Sequence, residues 1–233
     1  MAIIASEVML QASILLLDAG LVRWPAPELH IYLNAGQREI ALHKPTCFTD
    51  EVIINLVAGT RQSIPATAIS LMRVVRNLSA DDDPGPRVGA KAVTAIDRTV
   101  LDTQIPSWSD PTVMPFRALV DHVVVDIANP ETFYVVPGNT GTGMLEATCA
   151  VMPTPVPVPS SPLLIASYVT SMNVPAIFEN ALVDYVMYRA FSKDASTPGH
   201  AQRAVAHYQQ FAQAIGLKMQ TDMALNPDKT RGA

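Results

Sequence analysis

Apolar positions recur at helical spacing in two pairs of segments, one pair at each end of the chain, and shift to alternation or β-branched runs between them. Near the C-terminus, NVPAIFENALVDYVMYRAFSKD carries Phe178, Leu182, Tyr185 and Val186 on one stripe, with Asn173 as cap and Pro175 as first helical residue. The following segment places Ala201, Ala204, Val205, Tyr208, Phe211, Ala212 and Ile215 on one face. Thr197 reads as its N-cap, Pro198 as its first residue and Gly216 as a left-handed stop. Joined by the polar turn Lys193–Ser196, the two predict an antiparallel helical hairpin that still has apolar surface to bury. At the N-terminus, a first helix runs from Ser6 to about Leu17 with the stripe Val8, Leu10, Ile14, Leu15 and Leu17. A second lies between Pro25/Pro27 and Pro45. It has Leu29, Tyr32, Leu33, Gly36 and Ile40 on one face and His30, Asn34, Gln37 and Arg38 largely on the other. Gly36 in mid-helix costs about 1 kcal/mol relative to Ala, which suits close approach of a neighbouring helix.

After Pro45 the period becomes two. EVIINLVAGTRQSIP reads as two strands of a hairpin around Gly59-Thr60, and AISLMRVVRNLS as a third run ending at Asn77. ADDDPGPRVG is a loop by composition, and a short helix from Asp97 to about Thr103 has Asp97 as cap and Pro106 as terminator. LVDHVVVDI, TFYVVP and GMLEATCAVMP add three more runs, giving an antiparallel module of about six strands. PTPVPVPSSP is a connector of polyproline character. The pattern predicts an α+β fold: a four-helix bundle built from N- and C-terminal helix pairs, with an inserted antiparallel β-sandwich-like module. The corresponding divisions are 1–46, 47–160, 161–217 and a C-terminal tail at 218–233, whose segment Lys218–Ala233 shows no stripe beyond Gly216.

Composition narrows the function more than the fold. Over 233 residues, 49% are apolar and 16% charged, which is globular, with enough uncharged surface to hint at self-association. The net charge of −5 argues against a dedicated nucleic-acid binder. Cys47 and Cys149 sit in no CxxC or Cys/His cluster and read as buried thiols of a reducing cytosol. The apolar N-terminus lacks a basic region and carries Glu7, and no run reaches membrane-spanning length, so a soluble, unprocessed chain is expected.

Candidate chemistry does not converge. GNTGTG, Gly138 to Gly143, lacks the Lys-Ser/Thr ending of a phosphate loop and precedes a strand, so it reads as a β-turn. Asp81-Asp82-Asp83 lacks the alternate spacing of a calcium loop and reads as a solvated turn. The five histidines, His30, His43, His122, His200 and His207, form no zinc spacing. No serine lies in a GxSxG elbow, and strand alternation sends Asp121 and Asp126 to opposite faces. Tyr185, Tyr188, Tyr208 and Phe211 fit a helical core better than a base-stacking platform. These readings expect no catalytic site, no cofactor and no metal.

One ordered set of blocks is more specific. LVRWPAPELHIYLNAGQREIALHKP, AIDRTVLDTQIPSW, LVDHVVVDIANPETFYVVPG and ENALVDYVMYRAFSKDA…RAVAHYQQFAQAIG resemble, in order and spacing, the signature of tailed-bacteriophage head-to-tail adaptor (connector) proteins. The resemblance covers most of residues 20–217. It implies a non-enzymatic virion structural protein of the neck, assembled in the host cytoplasm as a homo-oligomeric ring, typically of twelve subunits. Such a ring lies between the portal protein and a downstream tail or nozzle protein, and viral DNA passes through without sequence-specific binding. It also implies a C-terminal extension that reaches the portal. The exposed faces of the second and fourth helices, Asn34, Arg38, Gln202, Arg203, Gln209 and Gln213, are interface candidates, together with Asn226, Lys229 and Arg231 of the tail. An alternative is a carbohydrate- or peptide-binding module in which the β insertion presents an exposed aromatic pair, Phe133 with Trp108. A hydrolase using Asp97 and Asp102 is a weaker rival, because the two lie five residues apart on one helix.

Overall fold

The computed structural model describes residues 3–80, 87–126 and 129–225. The chain divides into two compact units, one formed by Met1–Cys47 with Pro153–Ala233, the other by Phe48–Met152. In chain order the elements are β1 (Ile3–Ile4), α1 (Ala5–Leu15), α2 (Ala26–His43), β2 (Thr49–Asn55), β3 (Ala58–Ser63), β4 (Ala68–Ala80), β5 (Val88–Ala92), β6 (Thr94–Ala95), α3 (Arg98–Gln104), β7 (His122–Val125), β8 (Thr132–Thr140), β9 (Met144–Val151), β10 (Ser171–Met172), α4 (Glu179–Lys193) and α5 (His200–Leu225).

In the first unit α4 is the hub. It buries Ala181, Leu182, Val183, Tyr185, Val186, Met187, Ala190 and Phe191, so apolar side chains leave it on several sides. Helices α1, α2 and α5 each pack on it, and α5 makes no comparable seam with α1 or α2. Gly36 of α2 lies against this hub: a Cβ built there would meet Tyr185 at 3.1 Å and Leu182 at 3.2 Å. The strand pair β1–β10, Ile3 opposite Met172, ties the N-terminus to the segment before α4.

These contacts overturn the expected fold class. The described residues form five helices and ten strands in three sheets, 38% helix and 28% strand, rather than a four-helix bundle with an inserted module. The helices do not close into a bundle because they converge on α4 instead of on a shared axis. Mixed α+β remains the right class.

Local expectations change with it. α1 buries Ala5, Val8, Met9, Ala12 and Ser13, while Leu10, Ile14 and Leu15 of the expected stripe stay about half exposed. α5 begins at His200, not Pro198: Gly199 has φ +84, and the His200 N–H donates to the Thr197 carbonyl in a turn. Gly216 does not end α5, which continues to Leu225; a mid-helix glycine costs only about 1 kcal/mol.

The second unit is a sandwich of two four-stranded sheets, β2-β9-β4-β5 and β3-β8-β7-β6. Alternation sends Ile54, Leu71, Val74, Leu145, Ala147 and Cys149 of one sheet and Val123, Phe133 and Val135 of the other into one core. β2 and β3 are not the expected hairpin. β2 pairs with β9 and β3 with β8, so the chain changes sheets between them. Gln62, 2% exposed, fixes that crossing: its Oε1 accepts from the Val57 N–H at 2.8 Å, and its Nε2 donates to the carbonyls of Val57 and Gly59. Among the described residues this unit has eight strands rather than about six, and β6 pairs with β7 in parallel rather than antiparallel. α3 forms where expected, with the Asp97 carboxylate accepting from the Thr99 N–H at 2.7 Å.

Candidate functional site

The helical unit contains a dense polar and aromatic junction at the turn between α4 and α5. Trp24, 4% exposed, donates its indole N–H to the Ala190 carbonyl at 3.1 Å and meets Phe191 edge-on at 6.3 Å between centroids. Arg23 lies over the Trp24 ring, bonds Thr197 and pairs with Asp194, which also pairs with His200 Nδ1 at 2.8 Å. Arg23 is the main cause holding the Asp194 carboxyl below its ordinary range. Lys193 pairs with Glu28 at 2.5 Å, and Glu28 accepts from the Tyr32 hydroxyl. Burial first, and then that acidic partner, push Tyr32 well above the usual phenol range. Just upstream, Asp18 accepts from the N–H groups of Val22, Arg23 and Trp24; the Trp24 bond is the largest cause of its lowered pKa. Arg-Trp-Pro and the Tyr-Arg-Ala-x-x-Lys-Asp block are therefore two halves of one structural joint.

On the polar face of α2, Arg38 is exposed but His30 and Gln37 are buried, contrary to the reading of that face as solvated. His30 is 6% and Gln37 1% exposed, because the proline-rich connector covers them at Val156. Asn34 clamps that residue from both sides: Oδ1 accepts from the Val156 N–H at 2.8 Å, and Nδ2 donates to the Val156 carbonyl at 3.2 Å. His30 Nε2 lies 2.7 Å from the same carbonyl, to which it donates as the Nε2–H tautomer, and 2.9 Å from Asn34 Nδ2. Gln37 Nε2 donates to Asn34 Oδ1 at 2.8 Å, leaving its own Oε1 buried and without a partner.

The middle block is equally structural. Trp108 donates to Asp102 at 2.8 Å, packs edge-on against Tyr134 and shares a small core with Leu101. Asp97 and Asp102 are thus occupied as a cap and an indole acceptor. Phe133 is 0% and Trp108 5% exposed, so the aromatic pair that the ligand-binding alternative needs is not presented to solvent. The GNTGTG turn is held by Asn139, fully buried, whose Oδ1 accepts from the N–H groups of Gly141 and Gly143 and whose Nδ2 donates to the carbonyls of Arg117 and Ala118. Its donors point inward at one side chain, which leaves no nest for an anion. Among the described residues, no group of three or more His, Cys, Asp or Glu is placed to hold a metal ion. No helix among them is long and apolar enough to cross a membrane.

Of the interface candidates, Arg38, Gln202, Arg203, Gln209 and Gln213 are exposed, with Arg203 also over the Phe191 ring. Asn34 is spent on the connector. Asn226, Lys229 and Arg231, like the Asp81–Asp83 turn, lie outside the described residues. Sequence reasoning missed the exposed apolar surface. Leu10 and Ile14 are 53% and 57% exposed, and a groove of about 320 Å3 beside them is lined by Gln11, Ile14, Leu15, Asn180, Val183 and Asp184. The available signal was an excess of apolar residues, since α1 carries more than one stripe can bury.

Comparison with known families gives this surface a context. The chain matches the family described as SU10 adaptor protein over residues 4–231. It belongs to that family of phage head-to-tail adaptors. No curated protein matches it. Membership makes this adaptor a virion structural protein of the phage neck, with portal and tail proteins as its class of partners. Two signature blocks of the adaptor sequence, Arg-Trp-Pro and Tyr-Arg-Ala-x-x-Lys-Asp, meet at the joint between α2, α4 and α5.

Proposed function

We propose that this adaptor assembles as a homo-oligomeric ring, of twelve subunits by family resemblance, between the portal and the next tail or nozzle protein. The ring extends the DNA channel and acts without catalysis. The observation that carries this reading is the family match across residues 4–231. The physical character of the chain supports it. A net charge of −5 suits a passage through which DNA slides, because each neutralised phosphate would add salt-dependent affinity. The exposed polar residues Arg38, Gln202, Arg203, Gln209 and Gln213 are proposed as the rim of subunit contacts, and Asn226, Lys229 and Arg231 as portal-facing. The ring is assembled in the host cytoplasm and resides in the virion neck.

The test is focused cryo-electron microscopy of the virion neck, with mass spectrometry of purified particles. Symmetric density beneath the portal that accommodates both compact units is the expected result. Absence of the chain from the particle, or neck density that fits neither unit, overturns the proposal.

A further inference from the structure

We propose that the cavity beneath α3 in the sandwich unit is a binding site for one small phenol-type ring, with His122 meeting the hydroxyl. The site lies wholly within that unit, so it stands apart from the question of how subunits assemble.

Strand alternation turns Val123 into the sandwich core and sends His122 and Val124 to the other face of the sheet, under α3. There Leu101, Trp108, Val124 and Val136 form a second, small core. A cavity of about 190 Å3 adjoins it, floored by His122, Val136 and Pro137 of the sheet and walled by Ile96, Leu101 and Met114. Gln104 and Ile105, both exposed, mark its mouth. Protein interiors hold few voids larger than one water, whose share of the liquid is about 30 Å3, so an opening of this size is more than a packing fault. A cavity of about 150 Å3 with aliphatic walls takes a benzene, whereas larger ligands occupy roughly 300–1,000 Å3. The volume therefore suits one six-membered ring with a small substituent and is too small for a sugar chain or a nucleotide.

The lining narrows the chemistry further. Its apolar side chains favour a ring over water, since each enclosed water needs about two to four polar partners. Met114 favours an aromatic ring, because a thioether gains from contact with the ring edge. His122 Nδ1 lies 2.6 Å from Thr94 Oγ1, and among the described residues its Nε2 has no hydrogen-bond partner. The Asp121 carboxylate, also on the lining, is taken by Lys91 at 2.7 Å. The Thr94 contact works in either direction. Where Thr94 donates, His122 Nε2 carries the proton and needs an acceptor; where Nδ1–H donates, Nε2 needs a donor. A phenol hydroxyl both donates and accepts, so it satisfies either tautomer, while an ether or a ketone serves only one.

Methyl NMR of the full chain with isotope-labelled methionine reads the cavity through Met114, whose signal is assigned by its loss in Met114→Leu. The probes are p-cresol and toluene, which share the aromatic ring and methyl group and differ by the hydroxyl. p-Cresol should shift the Met114 methyl saturably, with nuclear Overhauser contacts from the protons beside its hydroxyl to the His122 imidazole. His122→Leu should lower the ratio of p-cresol to toluene affinity at least about fivefold while toluene still binds. The Overhauser contacts are read in the wild type and decide the case if the variant does not fold. No saturable shift from p-cresol, a probe seated with its methyl toward His122, or an unchanged affinity ratio in the variant overturns the assignment. Focused reconstruction of the virion neck then reads the source of the phenol. A tyrosine of a neighbouring protein in the cavity makes it a side chain, a separate compound makes it a free ligand, and an aliphatic side chain there overturns the proposal. A neck without the adaptor ring would sink the ring reading and leave the NMR result standing.

Discussion

Asn34 is the residue whose structural and surface roles predict the most different outcomes. Its replacement by alanine strands two donors at once: the Val156 N–H, on a residue 3% exposed, and the Nε2 of Gln37, 1% exposed. A buried donor left unpaired costs about 1–3 kcal/mol, while the Val156 carbonyl keeps its bond from His30, so the expected loss is about 3 kcal/mol. In a chain of this length that lowers the melting temperature by roughly 6–12 °C. Gln37→Leu runs the other way. It removes an amide oxygen that already lacks a partner, and should be neutral or slightly stabilising. With Gln37 gone, Asn34→Ala strands one donor instead of two, so the double variant should lose about 1 kcal/mol less than the sum of the singles. Arg38→Ala, on the exposed face of the same helix, should stay within about 0.5 kcal/mol of wild type. Urea denaturation followed by circular dichroism at 222 nm measures all four. A stability for Asn34→Ala within 0.5 kcal/mol of wild type, or strict additivity with Gln37→Leu, refutes the clamp and returns Asn34 to the surface.

The remaining predictions concern packing, a buried amide and pH. Gly36→Ala gains about 1 kcal/mol of helix propensity against contacts that need the Tyr185 and Leu182 side chains to shift slightly; Gly36→Leu, which they cannot accommodate, should cost about 3 kcal/mol in thermal denaturation. Asn77, 0% exposed, donates to the carbonyls of Lys91 and Val120 and accepts from the Val120 N–H, so Asn77→Ala should cost the β unit about 3 kcal/mol, read as a lowered urea midpoint. Glu146 is held below its ordinary pKa of 4.5, chiefly by Arg87 and further by Arg76, against the opposing effect of burial. A carboxyl with a depressed folded pKa contributes stability that is complete above its unfolded value and is lost as pH falls through its folded one. Stability should therefore drop below about pH 4.5, and Glu146→Gln should flatten that acid limb in urea titrations between pH 3 and 6.

Segments with a single strong period were legible in the sequence. The stripe of α4, the Asp97 cap of α3 and the close approach at Gly36 all follow from spacing that one helix face or one turn can satisfy locally. What was not legible depends on partners distant in the chain. Gly59-Thr60 reads as a turn by residue type, yet both lie inside β3, and β2 and β3 pair with β9 and β8 rather than with each other. At the crossing between sheets, the buried Gln62 side chain satisfies the backbone N–H and carbonyl of Val57. Helix ends failed for a similar reason: Gly199 and Gly216 are one residue type with opposite effects, one at φ +84 in a turn and the other inside a continuing helix.

The exposed surface was harder, because the rule that sorts apolar from polar positions assumes that polar means solvent. On α2 that assumption inverts. His30, Asn34 and Gln37 are polar because the backbone of the proline-rich connector needs partners where it crosses the helix, and they are buried for that reason. On α1 it inverts again, since Leu10 and Ile14 are apolar and yet half exposed, while small residues such as Ala5 and Ala12 are buried. A helix that buries Val8 and Met9 with its alanines and still points leucine and isoleucine outward carries more apolar surface than one face can bury. That apolar surface becomes favourable only when covered, so Leu10 and Ile14 mark a face that the fold of one chain leaves unused.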